Sequence, residues 1–254
     1  MHFSMHISTI TPDWSAPPNV KAFVTTRHGG VSAGPYQSLN LGDHVGDAVQ
    51  DVAENRRRLS SLLPAAPRWL RQVHGVKVCH ADNACGDDTA DAVLARQADV
   101  VCAIMTADCL PVLLTDRAGS VVAVAHAGWR GLCDGVLEAC VASMQAAPAE
   151  LIAWLGPAIG PAHFEVGPEV REAFLHHSAE AAMAFRPGKA DRWMADIFLL
   201  ARQRLSAAGV PATAISGGDL CTVSDADRFF SYRRDGITGR MASLIWRESA
   251  DSAG

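Results

Sequence analysis

Three side chains in this sequence have the types and settings to do chemistry together: His74, Cys109 and His126. Cys109 lies in Thr106-Ala107-Asp108-Cys109-Leu110-Pro111, between the apolar runs VVCAIM and LPVLL. His126 follows 17 positions later at the end of VVAVA, and Gly128 and Gly131 then flank Trp129 and Arg130. His74 stands between Gln72-Val73 and Gly75. Two imidazoles and a thiolate are a soft-to-borderline donor set suited to Zn²⁺ or to copper. Three protein ligands leave a fourth position open, as catalytic sites do, whereas a structural zinc closes with four. His28, His44 and Asp108 are the candidates for a fourth. The same residues admit two other readings, a Cys109 nucleophile with His126 as its base and a buried core thiol with two satisfied histidines. The three are too dispersed in sequence for spacing alone to decide.

Elements must carry these residues to one place. The run ending at His126 reads as a buried strand, followed by a tight turn and a helix start whose free N–H groups favour an anion. Residues 69–78 alternate and predict a strand with Leu70, Gln72 and His74 on one face. Residues 92–94, 100–105, 110–115 and 121–126 are four short apolar runs, two of them joined by the turn Asp116-Arg117-Ala118-Gly119. Residues 20–26, 151–155 and 213–216 predict further strands. Helices are expected over 47–63, 131–146, 168–177 and 195–208, from helical spacing and from Pro64 and Gly209 as stops. Residues 229–234 and 241–247 around Asp235-Gly236 predict a hairpin. Residues 27–42 form a long glycine-rich loop, and 81–90 a polar one. The expectation is one domain over 1–254, with a core of about 20–247, a lead-in at 1–19 and a tail at 248–254. Its fold class is α/β (α+β), a sandwich of mixed sheets with helices outside.

Composition narrows the function. The chain has 254 residues, 49% of them hydrophobic, and a formal net charge of −5. A mildly acidic chain argues against a general nucleic-acid binder, which carries a basic field. No 18-residue apolar run is present, so no membrane span is expected. The first residues, MHFSMHISTITPDW, lack the basic and apolar regions of a secretory signal. Seven cysteines without a C-x-x-C pair then read as reduced thiols of a cytoplasmic protein.

Six segments together resemble one family: TTRHGGVSAGPYQSLNLGDHVGD, WLRQVHGVKV, TADCLPVLL, AHAGWRGL, WLGPAIGPAHFEVG and RFFSYRRDGITGRMASLIW. The chain is identified by them as similar to the YfiH family, once called laccase-domain or polyphenol-oxidase proteins and now mostly described as purine nucleoside phosphorylases. The resemblance implies zinc ligands at His74, Cys109 and His126, within about 2.0–2.3 Å of one ion. It also implies a single-domain layered fold. One departure stands out: where the family often has a Pro-Gly turn before the strand leading into TADC, this chain has Ala95-Arg96-Gln97-Ala98-Asp99. A changed turn with an intact metal site is expected.

The implied activity is phosphorolysis of adenosine, inosine, guanosine and methylthioadenosine, with deamination of adenosine as a second reaction. The implied partners are nucleosides and phosphate, and assembly as a homodimer is left open. Arg27 with Gly29-Gly30, and Arg130 at the helix start, are the candidates for phosphate. Asp108 is the candidate to protonate the purine or orient a ligand, beside Cys109 and His126 as catalytic residues. Gln72 and Asn40 are candidates for base or ribose edges. The rival activities associated with the family are a copper phenol oxidase and a cysteine-type amidase acting on cell-wall precursors. The lack of His-x-His repeats disfavours a multicopper cluster.

Overall fold

The computed structural model describes residues 6–83 and 89–249. Its strands are β1 (Thr9–Ile10), β2 (Val20–Thr25), β3 (Val78–His80), β4 (Ala92–Ala95), β5 (Cys102–Thr106), β6 (Leu110–Asp116), β7 (Val122–Ala127), β8 (Leu151–Leu155), β9 (Glu165–Val166), β10 (Phe185–Pro187), β11 (Trp193–Ala195), β12 (Ile215–Gly217) and β13 (Met241–Arg247). The helices are α1 (Val49–Ser60), α2 (Trp129–Asp134), α3 (Val136–Ser143), α4 (Pro168–His177), α5 (Ile197–Ala207) and α6 (Tyr232–Asp235).

The central sheet has six strands in the order β12-β8-β6-β7-β4-β3. Its two outer pairs are parallel and its inner ones antiparallel. Both faces of this sheet are covered, which is why its strands read as continuous apolar runs. Val112, Leu114, Ala123 and Ala125 point to one face and pack with α3 and α5. Leu113, Val122 and Val124 point to the other and meet Val24, Ile104 and Ile245 of a second, four-stranded sheet, β1-β2-β13-β5. The outer face of that second sheet is closed by Leu39 and Leu41 of the glycine-rich loop and Leu59 of α1. The layers are thus helix, sheet, sheet, helix, with a small sheet β10-β11-β9 beside them. The expected layered α/β architecture is the observed one.

Three local expectations are corrected. Residues 69–77 are not a strand; β3 begins only at Val78. The Asp91 carboxylate accepts the backbone N–H groups of Val73, His74 and Gly75. Gln72 pairs its amide with both backbone groups of Met105, at 2.7 and 2.8 Å. Side chains thus replace a strand ladder. The helix expected over 131–146 starts earlier and divides into α2 and α3 at Gly135, whose φ of 103° a continuous helix cannot accommodate. The expected 229–247 hairpin is absent. Ser231 instead caps α6 by accepting the Arg234 N–H, and β13 lies between β2 and β5. The cysteines depart as well: Cys79 is disulfide-bonded, while Cys102, Cys109, Cys133, Cys140 and Cys221 are free thiols. Residues 84–88 of the loop expected at 81–90 lie outside the described residues.

Candidate metal centre

His126 is the penultimate residue of β7 and is 3% exposed. Its Nδ1 lies 2.8 Å from the Asp91 carboxylate, and its backbone N–H donates to the Asp91 carbonyl. Asp91 immediately precedes β4, which pairs with β7, and is itself fully buried. A carboxylate on Nδ1 fixes the imidazole so that Nε2 faces outward as a ligand. The same carboxylate collects the N–H groups around His74, which adopts a left-handed φ of 60°. One buried acid therefore sets both histidines. Their rings meet edge to face at 4.8 Å.

Cys109 stands at the turn between β5 and β6. Its Sγ is 3.7 Å from His74 Nε2. The ligand atoms of His74, Cys109 and His126 all lie within 4.8 Å of one another, forming the one such group of three or more among the described residues. Burial would raise the Cys109 thiol, but the charge and hydrogen bond of His126, with the His74 bond, bring it down to about 6. Burial likewise opposes charge on His126, yet Cys109 and Asp91 push it up to about 9. A thiol poised as thiolate is what a metal requires. Gly128 makes the approach possible: a Cβ there would lie 2.6 Å from His74 Cδ2 and 3.1 Å from Cys109 Sγ. The donor set and its spacing fit one Zn²⁺ or copper ion with a position left over.

The trio forms part of the wall of a cavity of about 720 Å³. Arg56, Arg71, Arg240, His44, Asp43, Trp69, Gln72 and Tyr232 also line it. The Arg56 guanidinium lies over the Trp69 ring, 4.6 Å from its centre, and reaches Asp43 at 3.2 Å. Arg240 donates from Nη1 to the carbonyls of Thr238 and Gly239, and among the described residues no carboxylate is bonded to it. Burial lowers its guanidinium from the ordinary value, with the charges of Cys109 and Asp108 opposing.

The residues expected to bind phosphate and sugar are distributed differently. Arg27 does not line the cavity; it donates to the carbonyls of Gln37 and Ala226 and stacks on Phe230. Arg130 is exposed and lies over the Trp129 ring. Asn40 is fully buried and bonds Gly42, Asp47 and the Arg240 N–H. Gln72 reaches the cavity wall, with its amide already engaged by Met105. Asp108 accepts from the Thr222 hydroxyl and the Arg233 N–H, both at 2.6 Å. Of the candidates for a fourth ligand, His44 lines the cavity, while His28 faces Asp227 at 3.7 Å. The changed turn before β5 is built by Asp82, which accepts the N–H groups of Arg96 and Gln97, and by Asp99 at φ 62°.

Sequence reasoning missed Asp91, Arg56 and Arg240. For Asp91 a signal existed: an acid opening the apolar run Ala92–Ala95 must be buried with a partner. The two arginines gave none, because a charge in a helix or before a strand looks like any solvated face.

Comparison with known proteins now bears on this geometry. The family described as multi-copper polyphenol oxidoreductase laccase matches residues 21–248. A purine nucleoside phosphorylase of Pseudomonas aeruginosa is 58% identical over 93% of this chain and 97% of its own length. The purine nucleoside phosphorylase YfiH of Escherichia coli is 54% identical over 93% and 98%. A Neisseria meningitidis protein of known crystal structure superposes with a TM-score of 0.91 at 50% identity, covering 95% of this chain and 99% of that one. With the trio on the wall of a cationic cavity and likeness across nearly its whole length, this chain belongs to the laccase-domain family that includes the YfiH purine nucleoside phosphorylases.

Proposed function

We propose that the protein is a zinc-dependent purine nucleoside phosphorylase. It acts on adenosine, inosine, guanosine and methylthioadenosine with phosphate, releasing free base and ribose 1-phosphate. Deamination of adenosine is its second activity, and its place is the cytoplasm. The observation that carries this reading is the convergence of His74, Cys109 and His126 on the wall of a cavity that also holds Arg56, Arg71 and Arg240. The near-full-length relatives named as purine nucleoside phosphorylases support it. Among the described residues no helix is long and apolar enough to cross a membrane.

His74, Cys109 and His126 would hold the ion, with Asp91 orienting His126. A zinc ion held there supplies Lewis acidity, enough to make water nucleophilic at neutral pH. Phosphorolysis brings its own nucleophile, a phosphate oxygen, and needs cations to hold it beside the sugar. Arg240 and Arg56 offer these.

Incubation with adenosine and phosphate, followed by chromatography, tests the reading. Adenine and ribose 1-phosphate should form, with inosine as the second product. Rising phosphate should divert adenosine from inosine toward adenine. An inosine-to-adenine ratio indifferent to phosphate would refute a shared site. The copper phenol oxidase draws on the family description and the same donor set. Metal content after purification without added copper, with a phenol assay, separates the two.

A further inference from the structure

Among the described residues two free thiols are not buried: Cys109, in the centre above, and Cys221. Cys221 lies beyond β12, and its backbone bridges Ala158 after β8. Donors surround its sulfur. The backbone N–H groups of Gly160 and Ser224 reach Sγ at 3.2 and 3.4 Å, and the Val223 N–H and the Ser224 hydroxyl join them. That hydroxyl lies 2.9 Å from Nε2 of His163. Two features hold the cradle in shape. Arg234 binds the carbonyls of Thr222 and Val223. A trans peptide points its N–H away from its C=O, so the Val223 and Ser224 N–H groups are turned from Arg234 toward the sulfur. Gly160 admits the close approach, since a Cβ there would lie 3.0 Å from Sγ. Burial would raise the Cys221 thiol, but the Ser224 hydroxyl and the three N–H groups bring it below its ordinary value. Burial pushes the thiols of Cys102, Cys133 and Cys140 the other way.

We propose that Cys221, Ser224 and His163 form a reactive-thiol site, separate from the metal centre, at which Cys221 exchanges with a small anionic disulfide of the glutathione class. The three side chains stand in hydrogen-bond sequence as nucleophile, relay hydroxyl and base. Backbone N–H groups gathered on a sulfur stabilise its thiolate, the form that attacks a disulfide. The step balances within the site and its co-reactant. The thiol proton passes to the Ser224 oxygen as the hydroxyl proton passes to His163 Nε2. The Cys221 sulfur bonds one sulfur of the incoming disulfide, and the disulfide bond breaks. Its electron pair leaves on the other sulfur, which takes the proton back from His163. The products are a mixed disulfide on Cys221 and one free small thiol. An anionic co-reactant suits the surroundings. The Arg233 side chain donates to the Glu165 carbonyl at 2.9 Å and lies 3.5 Å from that of His163, and among the described residues no carboxylate is bonded to its guanidinium. Asp225, on the Cys221 turn, is taken by Arg228 at 2.6 Å. The site owes nothing to the nucleoside reading and stands whichever substrate the metal centre takes.

The zinc-loaded protein, with Cys109 engaged by the ion and no reductant present, is incubated with oxidised glutathione. Intact mass and peptide mapping then locate the adduct. One glutathione should be found, on Cys221, and Cys221→Ser should take up none. An adduct on another cysteine with Cys221 left free, or no adduct at all, overturns the proposal. The relay is tested by the rate at which iodoacetamide alkylates Cys221 at neutral pH, read from the same peptide. Ser224 and His163 are both exposed, so their truncation leaves the core untouched. Ser224→Ala should slow alkylation about tenfold by raising the thiol, and His163→Ala should slow it as well. A rate that either variant leaves unaltered overturns the three-residue site.

Discussion

The His–Cys–His corner and the glycine-rich loop of residues 27–42 look alike as sequence, each a turn-rich segment with polar side chains beside glycines. In the structure they do opposite things. In the loop, polar groups satisfy one another: Asn55 bonds the backbone of Val31, Ser38 and Asn40, Asn40 bonds Gly42 and Arg240, and Arg27 bonds Gln37. At the corner, Asp91 takes Nδ1 of the His126 ring and the backbone N–H of His74, and the ligand atoms of both histidines are left beside Cys109. A binding residue is recognised by the acceptor or donor that its neighbours leave unused. Type and exposure do not reveal it.

That contrast breaks most sharply at Cys109. Cys109→Ala should abolish metal occupancy, and deamination of adenosine should fall by at least about 10³-fold because unassisted water is a poor nucleophile at neutral pH. Phosphorolysis should fall less. Metal content and the inosine-to-adenine ratio check this, and deamination persisting without metal would sink it.

Asp91→Asn comes next. Loss of the carboxylate behind His126 should cost about 10–100-fold in metal affinity, read by competition with a chelator. Asp91 also has a pH signature. Burial alone would raise its pKa, but the bonds from His126 and the backbone of Gly75 and Val73 hold it below the ordinary value. A depressed pKa contributes stability above the unfolded value near 3.9, lost as pH falls toward the folded one. Wild type should thus lose stability more steeply than Asp91→Asn in acid unfolding below about pH 4.

Gly128→Ala should act on metal binding alone. Its φ of −61° suits alanine, so the new methyl strains only His74 and Cys109. Metal affinity should fall by about tenfold, within the range for changes beside a ligand, while the unfolding midpoint without metal moves little. An unaltered affinity would mean that the trio relaxes freely.

The smallest effect is expected at Arg27. Arg27→Ala removes bonds to two carbonyls and should cost about 1–2 kcal/mol of stability, raising the KM for phosphate and nucleoside together. A rise in the phosphate value alone would return Arg27 to the role the sequence suggested.

Much of this was legible from residues alone. The runs at 92–94, 110–115 and 121–126 announced a sheet buried on both faces, since polar alternation would have marked a solvated one. Donor chemistry nominated the trio but left nucleophile and core readings open; the family resemblance singled out the ligand reading, and the structure brings the three side chains together. The stretch around His74 was misread because its alternation is real but its N–H groups go to Asp91, a long-range partner that no local pattern encodes. The hairpin at Asp235-Gly236 failed for a related reason: β13 finds better partners in β2 and β5. Arg56 and Arg240 were hidden because cavity-lining is a property of the assembled layers.

The place of β13 has a consequence for how the chain comes to be folded. It is an inner strand of the four-stranded sheet, and the Ala242 N–H bonds the Thr25 hydroxyl across 217 residues. Until β13 is made, β2 and β5 have no strand between them, and Val24 and Ile104 have no Ile245 to complete their cluster. At about 5–20 residues per second, synthesis leaves β2 waiting on the order of ten seconds or more with an open edge. That edge is a template for pairing with other chains. The second sheet is therefore completed only by the last strand of the chain, whereas the six-stranded sheet has its last strand once Gly217 is made.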